Sequence, residues 1–296
     1  MIYITTRYGL YCYSESQDEP RQLLDNNDLS TTFSRQSRGI FGISWHDPSD
    51  RLLFASQEHR KFPWFGRWSR KRRLHFYDPT SDAYSFAATV NNLYDVHQIT
   101  SHDQEVFIAD AVENRVVRYD LDSNKQQGEL HVGPVRQDLH HVNTVLIHDG
   151  HFWIGLNQSP EGHSKIIKLP LQEILDKKGE TYDVLEHGEI INIHGISDTH
   201  DLVPFRDTFL ISASHDSYVF DLKNQDKLLE GAEWTRGITL ERDNIWVGSS
   251  ELAKREERHR RSNGNIYCFS SDSFELKEKQ VLPGSGQVYD MITVEE

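Results

Sequence analysis

Four residues capable of chemistry, His97, Asn143, His200 and Arg236, stand at one matched point. Each lies ahead of an apolar run ending in a small residue: Val106 to Ala109, Phe152 to Gly155, Phe209 to Ser212 and Ile245 to Gly248. Two residues before each come Asp95, His141, Asp198 and Trp234. Side chains two apart on a strand point the same way, so these eight form two levels of one surface. A histidine is a general base or a metal ligand near neutral pH, and a guanidinium forks onto two oxygens of an anion. Three readings fit. The polar residues could simply hydrogen-bond to channel water. They could ligate a divalent metal through His97, His141 and His200 with Asp198 and Asp290, and imidazoles suit zinc, manganese or iron better than calcium. Or they form a metal-free substrate site, with His97 or His200 as base and Arg236 as anchor.

The elements that must position them follow a pattern written six times. An apolar run enters, a polar turn follows, a second strand ends in a small residue, and a third closes on an aromatic residue and often Asp. The clearest copy runs from Asp95 through Val106–Asp110 to Arg115–Asp120. Four short strands per repeat of roughly 40–50 residues are the mark of a β-propeller. The expected fold is all-β: one six-bladed propeller over residues 1–296. Its blades fall at about 38–90, 91–134, 138–192, 194–232 and 233–282, and the sixth joins 286–296 to 1–25. That last blade is closed by N-terminal strands plus a C-terminal strand, which removes open sheet edges. The matched inner position falls near Gly42 in the first blade and at Asp290 in the last, or at Tyr289 if the register slips by one. Short helices are expected at Leu171–Asp176 and within Glu251–Arg261.

Inner strands of a propeller begin at the rim that also receives the loops joining second to third strands. Those loops are long and cationic or aromatic here: 57–73, with Arg60 and Trp64, then 157–163 and 251–263. His215 lies in the corresponding turn of the fourth blade. Loops on a rigid scaffold commonly carry function, so Asn143, Tyr289, Arg60, Trp64 and His215 are the expected substrate contacts.

Val106–Asp110 followed by Glu113-Asn114-Arg115 through Tyr119 resembles the NHL repeat. The chain is similar to the six-bladed superfamily that includes senescence-marker/gluconolactonase, paraoxonase-like, strictosidine-synthase-like and TolB-type propellers. The resemblance implies the architecture. The gluconolactonase-type calcium site that it also implies uses oxygens from several blades. Only Asn143 and Asp290 are compatible with it, since His97 and His200 stand where oxygen ligands belong.

Bulk properties narrow the partners. A net charge of −14 argues against general nucleic-acid binding, which needs a basic face. No run approaches the twenty apolar residues of a membrane span. The N-terminus lacks a secretory signal pattern. Cys12 and Cys268 occupy the same strand of different blades, too far apart to pair, so free thiols and a cytoplasmic setting are expected. Together these features favour a cytoplasmic hydrolase or lyase acting on a small anionic molecule, such as a sugar acid or a sulfated or phosphorylated sugar. The alternative is a non-catalytic scaffold or ligand sensor that binds its partner over the same face.

Overall fold

The structure, a computed structural model, describes residues 1–29, 35–60, 71–134, 137–230, 234–251 and 262–295, with the backbone alone at 35–38, 58–60 and 230. Its strands form six antiparallel sheets arranged as the blades of a propeller. From the axis outward, blade one is Arg35–His46, Arg51–Arg60, Arg72–Asp78 and Ala83–Val90. Blades two to five begin with inner strands Val96–His102, Val142–His148, Thr199–Phe205 and Thr235–Glu241. Blade six pairs Val288–Thr293 with Ile2–Thr6, followed by Gly9–Tyr13 and Arg21–Asp25, so the ring closes through both ends of the chain.

Second strands are buried on both faces because each blade packs between two neighbours. In Ile2–Thr6, Ile2 and Ile4 join the cluster shared with blade five, while Tyr3 between them joins the cluster shared with blade one. That is the two-residue period of a strand read as two interfaces. Among the described residues there is one such apolar cluster at each of the six blade junctions. Between blades two and three, Phe107 and Phe152 meet at 4.8 Å between ring centroids.

Two features depart from a plain four-stranded repeat. Blade two gains a fifth strand, Thr181–Asp183, parallel to Lys125–His131 and drawn from the stretch that otherwise builds blade three. It follows the expected helix Leu171–Asp176, whose last carbonyls, Ile174 O and Leu175 O, accept from Arg118 Nη1 of blade two. The helix expected within Glu251–Arg261 falls mostly outside the described residues.

The NHL-like residues of blade two act as a latch. Asp110 accepts from the backbone amides of Tyr94 and Asp95 at 3.0 Å each, and Arg115 Nη2 reaches Asp110 Oδ2 at 3.1 Å. Asn114 Oδ1 accepts from the amides of His140 and His141. The motif thereby fixes the backbone that carries Asp95 and His141 into the mouth of the channel.

Candidate functional site

Every inner strand bulges near the axis, which brings two consecutive residues inward where a regular strand would turn one away. In blade two the pairing passes from Val96 to Ile99, leaving His97 and Gln98 unpaired. In blade five it passes from Thr235 to Ile238. The bulge creates two rings. The upper one is Phe41, His97, Asn143, His200, Arg236 and Tyr289, one residue from each blade. The lower one is Gly42, Gln98, Thr144, Asp201, Gly237 and Asp290.

The lower ring alternates. Blades two, four and six supply Gln98, Asp201 and Asp290, and blades one, three and five supply small residues. Each long side chain binds a backbone group of the next blade. Gln98 Oε1 accepts from Val145 N at 3.1 Å, Asp201 Oδ2 accepts from Ile238 N, and Asp290 Oδ2 accepts from Ile43 N at 3.0 Å. At the centre Gln98 Nε2 donates to Asp201 Oδ1 at 3.0 Å and to Asp290 Oδ1 at 3.2 Å. The glycines leave the room: a Cβ on Gly42 would stand 2.7 Å from Ile99 N, and Gly42 and Gly237 both take positive φ. Burial pushes both carboxyls up, Asp290 furthest because Asp201 also faces it.

Above this girdle opens a cavity of about 520 Å³. His97, His200, Arg236 and Tyr289 line its floor, and Asp95, His141 and Asp198 line the next level, with Trp234 at the matching point of blade five. His215 joins the rim, largely exposed, with Nδ1 3.8 Å from Asp216. The rings of His97 and His141 lie 4.9 Å apart, and those of His97 and His200 lie 6.0 Å apart. Asn143 lines a smaller void beneath, bounded also by Gln98 and Asp201.

The structure moves two expected positions by one residue. Phe41 replaces Gly42 in the upper ring, and Tyr289 replaces Asp290, the two aromatic rings stacking at 4.3 Å. Asp290 therefore does not converge with His97, His141 and His200, because both of its oxygens are engaged in the girdle. Among the described residues no group of three or more His, Cys, Asp or Glu is placed to hold a metal ion. Trp64 and the side chain of Arg60 lie outside the described residues.

Four residues complete the site without having stood out in sequence. Arg7 sits in the two-residue turn between the second and third strands of blade six, too short to draw notice. Phe41 and Asp138 line the cavity as well. Ser214, immediately after the second strand of blade four, touches His200.

The electrostatics divide the cavity in two. On the side of blades two to four, His97 Nε2 stands 3.7 Å from Asp95 Oδ2, and His141 Nδ1 lies 2.7 Å from Asp138 Oδ1. Burial alone would lift Asp95, but His97, His141 and Arg72 outweigh it and hold the carboxyl below its usual range. Burial lowers His97 despite Asp95. Burial, with Arg236 and His97 nearby, lowers His200 well below the ordinary imidazole value. On the side of blades five and six stand Arg236, Arg7 and Tyr289, with the Arg236 guanidinium 5.7 Å from the centre of the Trp234 ring. Burial raises the Tyr289 phenol.

Backbone geometry at the upper level is unusual. His141, Asp198 and Trp234 take φ of 50°, 59° and 33°, a region that costs a non-glycine residue about 1–3 kcal/mol. Each is held there by its carbonyl, which accepts from the residue just past or at the end of the second strand: Asn157, Ser214 and Ser250. The side chains are thus aimed inward by hydrogen bonds that belong to the blade.

No protein-family model matches the chain, and no curated protein sequence matches it. Solved structures do. A chain of a nidogen/laminin complex superposes with a TM-score of 0.62 at 10% identity, covering 99% of this chain and 98% of that one. TolB from Acinetobacter baumannii superposes with a TM-score of 0.58 at 10% identity, over 98% of this chain and 65% of that one. At such identities the likeness establishes the six-bladed propeller fold.

Proposed function

We propose that the protein binds a small anionic molecule in the axial cavity and acts on it as a hydrolase or lyase. The observation that carries this reading is the division of one cavity into a guanidinium side and a carboxylate–imidazole side. Arg236 and Arg7 would take a carboxylate, sulfate or phosphate, and Asp95, Asp138 and Asp198 would accept from hydroxyls. That pairing suits a sugar acid or a sulfated or phosphorylated sugar. His97 or His200 would serve as base, Asp95 orienting the first and Ser214 the second. His215, and Arg60 and Trp64 of the blade-one loop, are proposed contacts at the rim. No helix of the described residues is long and apolar enough to cross a membrane. Two buried free thiols, Cys12 and Cys268, suit the reducing cytoplasm as the setting.

Thermal unfolding in D-glucuronate, glucose 6-phosphate and glucose 6-sulfate tests the binding step, because a ligand that binds only the folded state raises Tm. At least one should raise Tm saturably in the natural protein and fail to do so in Arg236→Ala. No shift with any of the three would overturn the reading. A second reading, a non-catalytic propeller that binds a partner protein over the same face, is favoured by the likeness to a chain of the nidogen/laminin complex. It expects no anion-dependent shift, and partner binding indifferent to His97→Ala and His200→Ala.

A further inference from the structure

Two buried acceptors face one small void and have no partner in the protein: His200 Nε2 and Asn143 Oδ1. Both are fixed as acceptors by what holds the other end of each side chain. His200 Nδ1 lies 3.1 Å from Asp198 O and 2.7 Å from Ser214 Oγ. A carbonyl only accepts, and the Ser214 hydroxyl proton already goes to Thr235 O. Nδ1 must therefore carry the ring proton, and Nε2 presents a lone pair. Asn143 Nδ2 donates to Thr199 O at 3.3 Å. Flipping the amide would set oxygen against oxygen, so Oδ1 also presents a lone pair. The void is about 20 Å³, enough for one water. Two fixed acceptors require one group with two donors.

We propose that a single water bridges His200 Nε2 and Asn143 Oδ1 and is the nucleophile of a hydrolytic reaction in the cavity above. The nucleophilic role rests on the functional reading given above, whereas the water site does not. With both hydrogens directed at these acceptors, the oxygen lone pairs are left for an electrophile held by Arg236, which lines both spaces. The water oxygen forms a bond to that centre, and one of its protons passes to Nε2. The bond to the leaving group breaks, its electron pair departs with the leaving group, and solvent protonates it. His200 then returns its proton to solvent. This selects hydrolysis over elimination.

Diffraction from crystals of the whole protein, at a resolution that shows waters, should place one within hydrogen-bond distance of both atoms. Absence of that density, or either atom bonded elsewhere, overturns the site. Turnover of 4-nitrophenyl sulfate, 4-nitrophenyl phosphate and 4-nitrophenyl glucuronide in H₂¹⁸O should put ¹⁸O into the anionic product. Asn143→Leu should lose that water and at least 100-fold of the rate, while Asn143→Asp, whose protonated carboxyl can donate to Thr199 O and accept at its other oxygen, retains more. Turnover without ¹⁸O, or full activity in Asn143→Leu, overturns the nucleophile and leaves the enzyme reading standing. No turnover of any probe counts against enzyme and nucleophile together, with the diffraction result still deciding the site. A soaked glucuronate that donates one hydroxyl to each acceptor would make the substrate, not water, the occupant.

Discussion

At the scale of single residues, each half of the cavity makes its own demand. Arg236 is nearly buried, so an anion binding there meets a desolvated, forked donor. Arg236→Lys keeps the charge and loses the fork. Titration calorimetry should find binding of the anion that raises Tm weakened about tenfold, roughly 1.4 kcal/mol. His200 gives a pH prediction. Its lowered value keeps Nε2 unprotonated well below pH 6.5, and a base must be unprotonated to act. Activity should therefore hold as pH falls through the ordinary histidine range, and decline only at the lower, depressed value. A pH–rate profile whose acid limb sits at 6.5 or above would exclude His200 as the base.

At the scale of elements, the bulges matter more than the strands that carry them. The girdle of Gln98, Asp201 and Asp290 ties alternate blades to their neighbours through groups that are largely buried. Gln98→Leu would strand the Val145 amide and take one of two donors from Asp201 Oδ1 and Asp290 Oδ1, which keep the amides of Leu202 and Met291. A buried group left unpaired costs about 1–3 kcal/mol, so denaturant unfolding should show a loss of about that size. The same pair sets a pH window. Asp201 and Asp290 have folded values raised by burial, so the folded state holds their protons more tightly than the unfolded chain. Their contribution to stability is full below the unfolded carboxyl value, near pH 4, and falls as pH rises towards the folded values. Replacing both with Asn should flatten that part of the stability–pH curve in urea titrations.

At the scale of the whole molecule, closure is the controlling fact. Val288–Thr293 contributes the inner strand of a blade whose other strands come from the N-terminal segment, and it packs against both blade five and blade one. Deleting it would expose Ile2, Ile4 and Trp246 and leave Ile2–Thr6 as an unpaired sheet edge. The deletion variant should lose the single cooperative unfolding transition of the ring rather than fray at one end, as circular dichroism on heating would show. Cys12 and Cys268 are buried in adjacent blade interfaces, and burial pushes the Cys268 thiol up to about 12. Ellman's reagent should react with neither thiol in the folded protein and with two after denaturation without reductant.

The six-fold pattern, the split last blade and the convergence of His97, His200 and Arg236 were legible in the sequence, because strand alternation and repeat spacing are local properties written residue by residue. What alternation could not reveal is where it fails. A bulge turns both His97 and Gln98, and both His200 and Asp201, towards the axis, so Gln98 and Asp201 looked outward on a two-residue period. The same one-residue shift moved Asp290 down into the girdle and brought Tyr289 and Phe41 to the cavity floor. Arg7, Asp138 and Ser214 belong to the site only because the ring closes and brings turns from different blades to one rim. No local spacing encodes that. Which nitrogen of His200 bears the proton depends on Thr235, Ser214 and Asp198, contributed by two adjacent blades. Only the tertiary structure could decide it, because a hydrogen-bond direction is set by every partner at once.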